Sequence, residues 1–266
     1  MKKRKKKRNR IIGIIFRFLL LLLILALLVV LILALMFKVR NFTITGDTHY
    51  TDDEFITASG VTYSDNLLLL DLEGVKENIE KNLPYADNVT VTRGGVGTVS
   101  IKAEKAKAAF AVKMADDTFV IMTEKLKTLK SAAALPEGVI LIEDVTPVSV
   151  REGEIAAFSG DEEEQSQLIS ALSAISKAAS SSLKGIECVN AGSLSSIYLI
   201  FEDRIVIKLG DCENISEKLS LAATAISEEN QLSNTQTGIL NASNPERVLF
   251  AAKDRSSIEE LAPQGE

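Results

Sequence analysis

The longest apolar feature of the chain comes early: from Phe18 to Phe37 it runs FLLLLLILALLVVLILALMF, with no charge, glycine or proline. As a helix this stretch rises about 30 Å, the thickness of a bilayer's hydrocarbon core, so it is expected to cross a membrane once. A cleaved signal peptide shares the basic-then-apolar order, but its apolar core is roughly 7 to 15 residues and ends at a small-x-small site. Here the run is longer and ends Leu35-Met36-Phe37-Lys38. That favours a retained anchor with its limits at Phe18 and Phe37.

Beyond the span the pattern changes to short periods. Phe42-Thr43-Ile44-Thr45-Gly46 alternates apolar and polar residues and stops at glycine, which predicts a half-buried strand. Thr51-Asp52-Asp53-Glu54 reads as a capping box opening a short helix that closes near Ser59-Gly60. Leu72, Val75, Ile79 and Leu83 recur at spacings of three and four, predicting a second helix over Leu72 to Asn82, stopped by Pro84. Alternating segments follow at Asn88 to Arg93 and Thr98 to Glu104, joined by a hairpin turn at Gly94-Gly95-Val96-Gly97. The order is β-α-α-β-β.

The remainder is richer in strand. Phe110 to Lys113, Thr118 to Met122 and Gly138 to Val145 are strand candidates, consistent with a meandering antiparallel sheet. A long helix is expected from about Asp161 to Leu183, with Glu162, Glu163 and Glu164 in its first turn and Leu168, Leu172, Ile175, Ala179 and Leu183 in one stripe. Ile197 to Phe201, Glu202-Asp203 and Arg204 to Gly210 form the clearest hairpin, with Ile197, Leu199 and Phe201 facing Ile205, Ile207 and Leu209. A final helix starts at an Asn214-x-x-Glu217 cap and carries Ile215, Leu219, Ala222 and Ile226 inward. Two apolar pieces close the pattern, Gly238-Ile239-Leu240 and Arg247 to Ala252. The fold class is therefore α+β: one transmembrane helix, a β-α-α-β-β domain, then a mainly antiparallel, β-rich domain with two helices. Boundaries are expected at 1–17 for a basic tail, 18–37 for the span, 38–105 and 106–253 for the two domains, and 254–266 for a polar, disordered tail.

Charge sets the topology. Nine of the 30 Lys and Arg lie before the span, and all 36 Asp and Glu lie after it. Basic residues flanking a span stay on the cytoplasmic side, so the amino end is expected inside and the acidic bulk outside. An acidic outer portion argues against nucleic acid as a partner. With two cysteines the chain is no disulfide-built scaffold. Cys188 sits in a strand-like run and Cys212 in a turn, and whether they pair stays open at this point. The one histidine, His49, falls in the turn Asp47-Thr48-His49-Tyr50, and neither a metal site nor a histidine-based triad can be assembled around it.

One catalytic pattern needs weighing. Ser181-x-x-Lys184 with Lys208-Leu209-Gly210 mimics two of three marks of penicillin-recognising serine enzymes. That chemistry needs serine at the amino end of a buried helix, whereas Ser181 lies in the last turn of its helix, and no Ser-x-Asn element lies between the two motifs. Gly94-Gly95-Val96-Gly97 lacks the lysine and following helix of a phosphate loop. No cofactor, metal or small-molecule substrate is expected.

Taken in order, several strings resemble the FtsQ/DivIB family of bacterial cell-division proteins. They are Phe42 to Gly46, Asn66-Leu67-Leu68-Leu69-Leu70-Asp71, Leu83-Pro84-Tyr85-Ala86 before Val89 to Arg93, and Thr98-Val99-Ser100-Ile101 leading to Glu104. Arg204 to Gly210, then Asn214 and Glu217-Lys218-Leu219, look like the family's second domain, and Gly238 to Asn241 with Asn244 to Val248 like its closing segment. The prolines the family carries near the positions of Val96 and Lys107 are missing. The resemblance implies a POTRA domain, a β domain and a non-enzymatic scaffold at the division septum. It would join FtsL-type and DivIC/FtsB-type partners outside the membrane and help control septal wall synthesis. It also makes Arg247, Val248, Leu249, Phe250, Ala251 and Ala252 a candidate edge strand for a partner, although plain core packing explains Val248, Leu249 and Phe250 equally well. Two other classes stay open, a membrane-anchored serine acyl-transfer enzyme and a POTRA-containing transport component.

Overall fold

The computed structural model describes residues 2–46, 49–232 and 236–253. Its contacts divide into two compact units, Met1–Ile79 with Ala86–Glu104, and Glu80–Tyr85 with Lys105–Glu266. The expected disordered tail over 254–266 lies outside the described residues, as do Asp47 and Thr48 of the turn before Tyr50.

In the first unit, helix α1 (Lys2–Met36) carries the apolar run. Its leucines stand clear of the protein, Leu19 and Leu27 each 64% exposed, as suits a surface meant for hydrocarbon. Strand β1 (Asn41–Thr45), helices α2 (Asp52–Ser59) and α3 (Leu72–Asn82), and strands β2 (Ala86–Gly95) and β3 (Thr98–Lys105) follow in the expected order. The sheet order is β1-β3-β2, with β1 parallel to β3 from Asn41 opposite Thr98 to Thr45 opposite Lys102. At the head of α2 the Glu54 carboxylate accepts both the Thr51 amide (2.8 Å) and the Thr51 hydroxyl (2.7 Å). These bonds hold the Glu54 carboxyl below its usual range. Phe55, Ile79, Val99 and Ile101 are buried between the helices and the sheet. Gly46 ends β1 at φ +115°, where a Cβ would stand 1.9 Å from the Ala103 carbonyl oxygen. Only glycine fits there.

The second unit is built on one sheet of nine strands. They are β4 (Phe110–Lys113), β5 (Phe119–Met122), β6 (Thr128–Ala132), β7 (Ile140–Glu143), β10 (Ile186–Asn190), β11 (Ile197–Phe201), β12 (Ile205–Gly210), β13 (Gly238–Asn244) and β14 (Arg247–Ala252). A small ribbon of β8 (Pro147–Ser149) and β9 (Ala157–Phe158) stands apart from it. The spatial order is β14-β13-β12-β11-β10-β7-β4-β5-β6. The pairs β4/β7, β7/β10 and β12/β13 are parallel and the others antiparallel. The early strands therefore do not form the simple meander that alternation suggested: β7 returns parallel beside β4, because the chain crosses over after β6.

Helices α4 (Glu162–Ser181) and α5 (Ile215–Leu232) supply the inner face of the core. Leu168, Leu172 and Ile175 of α4 and Ile215, Leu219, Ala222 and Ile226 of α5 pack with Ile197, Leu199, Phe201, Ile205, Ile207 and Leu209, the expected faces of the hairpin. Asp161 caps α4 by accepting the Glu164 amide at 2.9 Å, and Glu164 returns a carboxylate oxygen to the Asp161 amide at 3.2 Å. Asn214 stands at φ +51°, and its carbonyl accepts the Glu217 amide at 3.0 Å and the Lys218 amide at 3.1 Å.

A buried cation fixes the start of α5. Lys218 is 2% exposed, and its Nζ donates to Asp211 Oδ1 at 2.6 Å and to the Asp211 carbonyl at 3.0 Å. The carboxylate end is open to solvent, so Asp211→Ala should cost less than the ~3–5 kcal/mol of breaking a fully buried pair, about 1–2 kcal/mol. Replacing both partners with Lys218→Met and Asp211→Ala should recover most of that loss, because no orphaned ammonium remains. The Lys218 bond lowers the Asp211 pKa. Its contribution is thus full above the ordinary carboxylate range and lost as the pH falls through the lowered value. Urea titrations at neutral and acid pH check both statements.

Candidate interface at the sheet edge

Strand β14 is one end of the nine-stranded sheet. It pairs antiparallel with β13 alone, Gly238 opposite Ala252, Ile239 opposite Ala251, Leu240 opposite Phe250 and Asn241 opposite Leu249. Just past the strand, the Lys253 amide donates to the Thr237 carbonyl (3.1 Å) and the Thr237 hydroxyl to the Lys253 carbonyl (2.6 Å). On the far side of β13 the Gly238 amide donates to the Arg204 carbonyl of β12's leading turn at 3.1 Å. In an antiparallel ladder these directions alternate residue by residue. Leu249 and Ala251 therefore turn their amides and carbonyls towards β13, while Phe250 and Ala252 turn theirs outward, where no strand stands among the described residues.

The side chains divide the other way. Val248 and Phe250 are half-buried and pack on the core beneath α5, so core packing accounts for these two. Leu249 is 51% exposed on the opposite face, beside the exposed Ala251. Between the exposed Arg247 and Lys253 there is no charge for five residues. Charges and coverings are how sheet edges are usually protected, and the opposite edge has them. Strand β6 exchanges bonds with the segment beyond it, Thr128 N to Glu154 O and Gly153 N to Thr128 O, both 2.9 Å. It also carries Lys130. Among the described residues the β14 edge is the open one.

Two features of this hairpin carry no periodic signal in the sequence. A Cβ on Gly238 would lie 2.5 Å from the Ala251 carbonyl oxygen and 2.8 Å from Phe250 Cζ, so glycine is what lets β14 close on β13. Around the register shift between Asn241 and Asn244, the Asn241 side-chain oxygen accepts the Ser243 amide (3.1 Å) and hydroxyl (2.8 Å), and that of Asn244 accepts the Glu246 amide (2.8 Å). These short loops are what turn the chain back at Pro245. Arg204, 9% exposed, locks the approach: its Nε meets Glu202 Oε2 at 2.8 Å, its NH1 meets the Gln236 carbonyl at 3.2 Å, and its guanidinium lies 5.6 Å over the Phe201 ring.

The residues considered for chemistry are placed otherwise. Ser181 ends α4 and donates its hydroxyl to the Lys177 carbonyl at 2.8 Å. It lies with Ala178, Ser220 and Ala223 in a groove of about 650 Å³ between α4 and α5. Lys184 is exposed beyond the helix end. Cys188 and Cys212 are both free thiols. Burial first, and then the neighbouring Glu143, pushes the Cys188 thiol far up, which leaves it protonated and unreactive. The ring of His49 stands edge-on to Tyr50, centroids 5.3 Å apart. Gly94 and Gly95 end β2, and Val96-Gly97 make the hairpin turn to β3. Of the span limits, Phe18 is 64% exposed within α1. Phe37 lies one residue past the helix end, its amide still bonded to the Leu33 carbonyl at 3.1 Å.

Comparison with known proteins agrees with this arrangement. Residues 37–104 match the family model described as POTRA domain, FtsQ-type. The chain is 28% identical over 194 residues to a protein named Cell division protein FtsQ from Corynebacterium glutamicum, a match covering 73% of this chain and 81% of that one. With one apolar helix, a domain matching the FtsQ-type POTRA model and a β-rich unit in this order, the chain is similar to the FtsQ/DivIB family of bacterial cell-division proteins.

Proposed function

We infer that this protein is a non-enzymatic, membrane-anchored scaffold of the bacterial divisome. Its amino end lies in the cytoplasm and its two folded units outside, where it binds FtsL-type and DivIC/FtsB-type proteins at the septum and helps regulate septal wall synthesis. The single observation that supports this most is the open edge of β14. There a partner segment can add a tenth strand, bonding to Phe250 and Ala252 and setting an apolar side chain against Leu249. The charge distribution supports the orientation, with basic residues before the span and acidic ones beyond it. For the acyl-transfer alternative, the Ser181 hydroxyl would have to leave its own helix carbonyl. For a transport component, the nine-stranded sheet would have to close, yet it ends at β14 and β6.

Co-purification tests the reading. The full chain in detergent should capture both small division partners, and a chain shortened by residues 247–266 should lose at least one of them. Undiminished capture by the shortened chain would remove β14 as the binding edge. Depletion of the protein should give filamentous, undivided cells; normal septation would remove the divisome role.

A further inference from the structure

We propose that the end of the POTRA sheet where α1 enters is a membrane-contacting surface, with Leu68, Leu69 and Val96 resting in the outer leaflet's interface. This rests on α1 being the span and goes beyond partner binding. Topology brings the three residues together. Only four residues separate Met36 from the start of strand β1, and because β3 runs parallel to it, with Asn41 opposite Thr98, the Val96-Gly97 turn stands at the same end of the sheet. The Gly97 carbonyl accepts the amides of Arg40 (2.7 Å) and Asn41 (3.1 Å). The loop before α3 is tied there as well. Leu67 N donates to the Phe37 carbonyl at 2.7 Å, Val39 N to the Asp65 carbonyl at 2.9 Å, and Lys38 bridges to Asn66.

This end displays what a water-facing surface would not. Leu69 is 85% exposed, Val96 62% and Leu68 45%, while Leu67 of the same run is buried at 1%. The loop is also held in place: Arg93 Nε donates to the Leu67 carbonyl at 2.7 Å, and Arg93 NH2 to those of Leu68 (3.4 Å) and Leu70 (3.0 Å). Holding exposed leucines outward in this way makes sense if something apolar meets them, and the bilayer begins at most a few residues away, where α1 ends. Lys38 and Arg40 are exposed at the same end, within reach of lipid phosphates, and Tyr63, 61% exposed, has the apolar body and polar tip favoured at that depth.

The test uses the full chain carrying Cys212→Ser, with Cys188 7% exposed. A single environment-sensitive fluorophore is placed at Leu69→Cys, at Leu27→Cys within α1, or at Lys102→Cys at the opposite end of the sheet. The chains are embedded in phosphatidylethanolamine/phosphatidylglycerol nanodiscs with or without nitroxide-labelled lipid. Lys102 lies about 13 Å further along β3 than Thr98. The inference expects a blue-shifted emission at Leu69 and nitroxide quenching at least about twofold that at Lys102, as for a group lying ~5–10 Å into the interface. Water-like, unquenched emission at Leu69 with strong quenching at Leu27 would overturn the contact and leave the span standing. Loss of quenching at Leu27 as well would overturn the span and the contact together.

Discussion

Ala252→Pro is expected to weaken capture of the division partner about tenfold while leaving the chain's thermal midpoint unchanged. The Ala252 amide points away from β13, so proline there removes a donor offered to a partner strand and none used by the sheet. One hydrogen bond of this kind contributes about 1–1.5 kcal/mol net, close to a factor of ten in affinity. Ala251→Pro is the control with the opposite signature. Its amide faces β13, so the change breaks a ladder bond, lowers stability and frays the strand. Partner titration by calorimetry, with melting curves of the same samples, separates the two. Equal affinity for Ala252→Pro and the parent chain would mean that the outer edge is not what the partner reads.

The second large effect concerns how β14 is held. Gly238→Val should destabilise the chain by about 1–3 kcal/mol, the usual range for overpacking. It should also abolish capture by displacing β14, since the new Cβ meets the Ala251 carbonyl at 2.5 Å and backbone cannot move aside as a flexible side chain can. Removing the ring with Phe250→Ala should not rescue it, because the clash with the Ala251 carbonyl remains. Urea denaturation measures the first part and co-purification the second. Retained capture at parental stability would show that β14 seats independently of this contact.

Much of the architecture was legible in the residues, for physical reasons that also mark where legibility stops. Helix α3 spans Leu72–Asn82 as its spacing implied, because an amphipathic stripe ended by Pro84 is strongly specified. The hairpin of β11 and β12 was equally plain, two alternating runs around a tight turn. Strands β6, β8 and β9 carry no periodic signal: Thr128–Ala132 offers one large apolar residue, and Ala157–Phe158 is too short for any period. The parallel placement of β7 beside β4 and β10 is decided by crossovers and helix packing, which leave no periodicity in the strand itself.

The candidate interface lay between these cases. Val248-Leu249-Phe250-Ala251-Ala252 shows neither clean alternation nor charge, so its own residues read as well for a central strand as for an edge. The resemblance to the family's closing segment pointed to it, while its place at the end of the sheet follows from β13 pairing parallel with β12 and turning back at Pro245. The role of Gly238 could not be seen at all, since it depends on the cross-strand approach of Ala251 and Phe250.

Residue-resolved amide hydrogen exchange of the full chain in nanodiscs, with and without the DivIC/FtsB-type partner, tests the central claim most directly. Alone, Leu249 and Ala251 should exchange slowly and Phe250 and Ala252 fast; with the partner bound, Phe250 and Ala252 should become protected as a strand forms beside them. A saturating partner that leaves Phe250 and Ala252 exchanging as fast as before would contradict strand addition at β14.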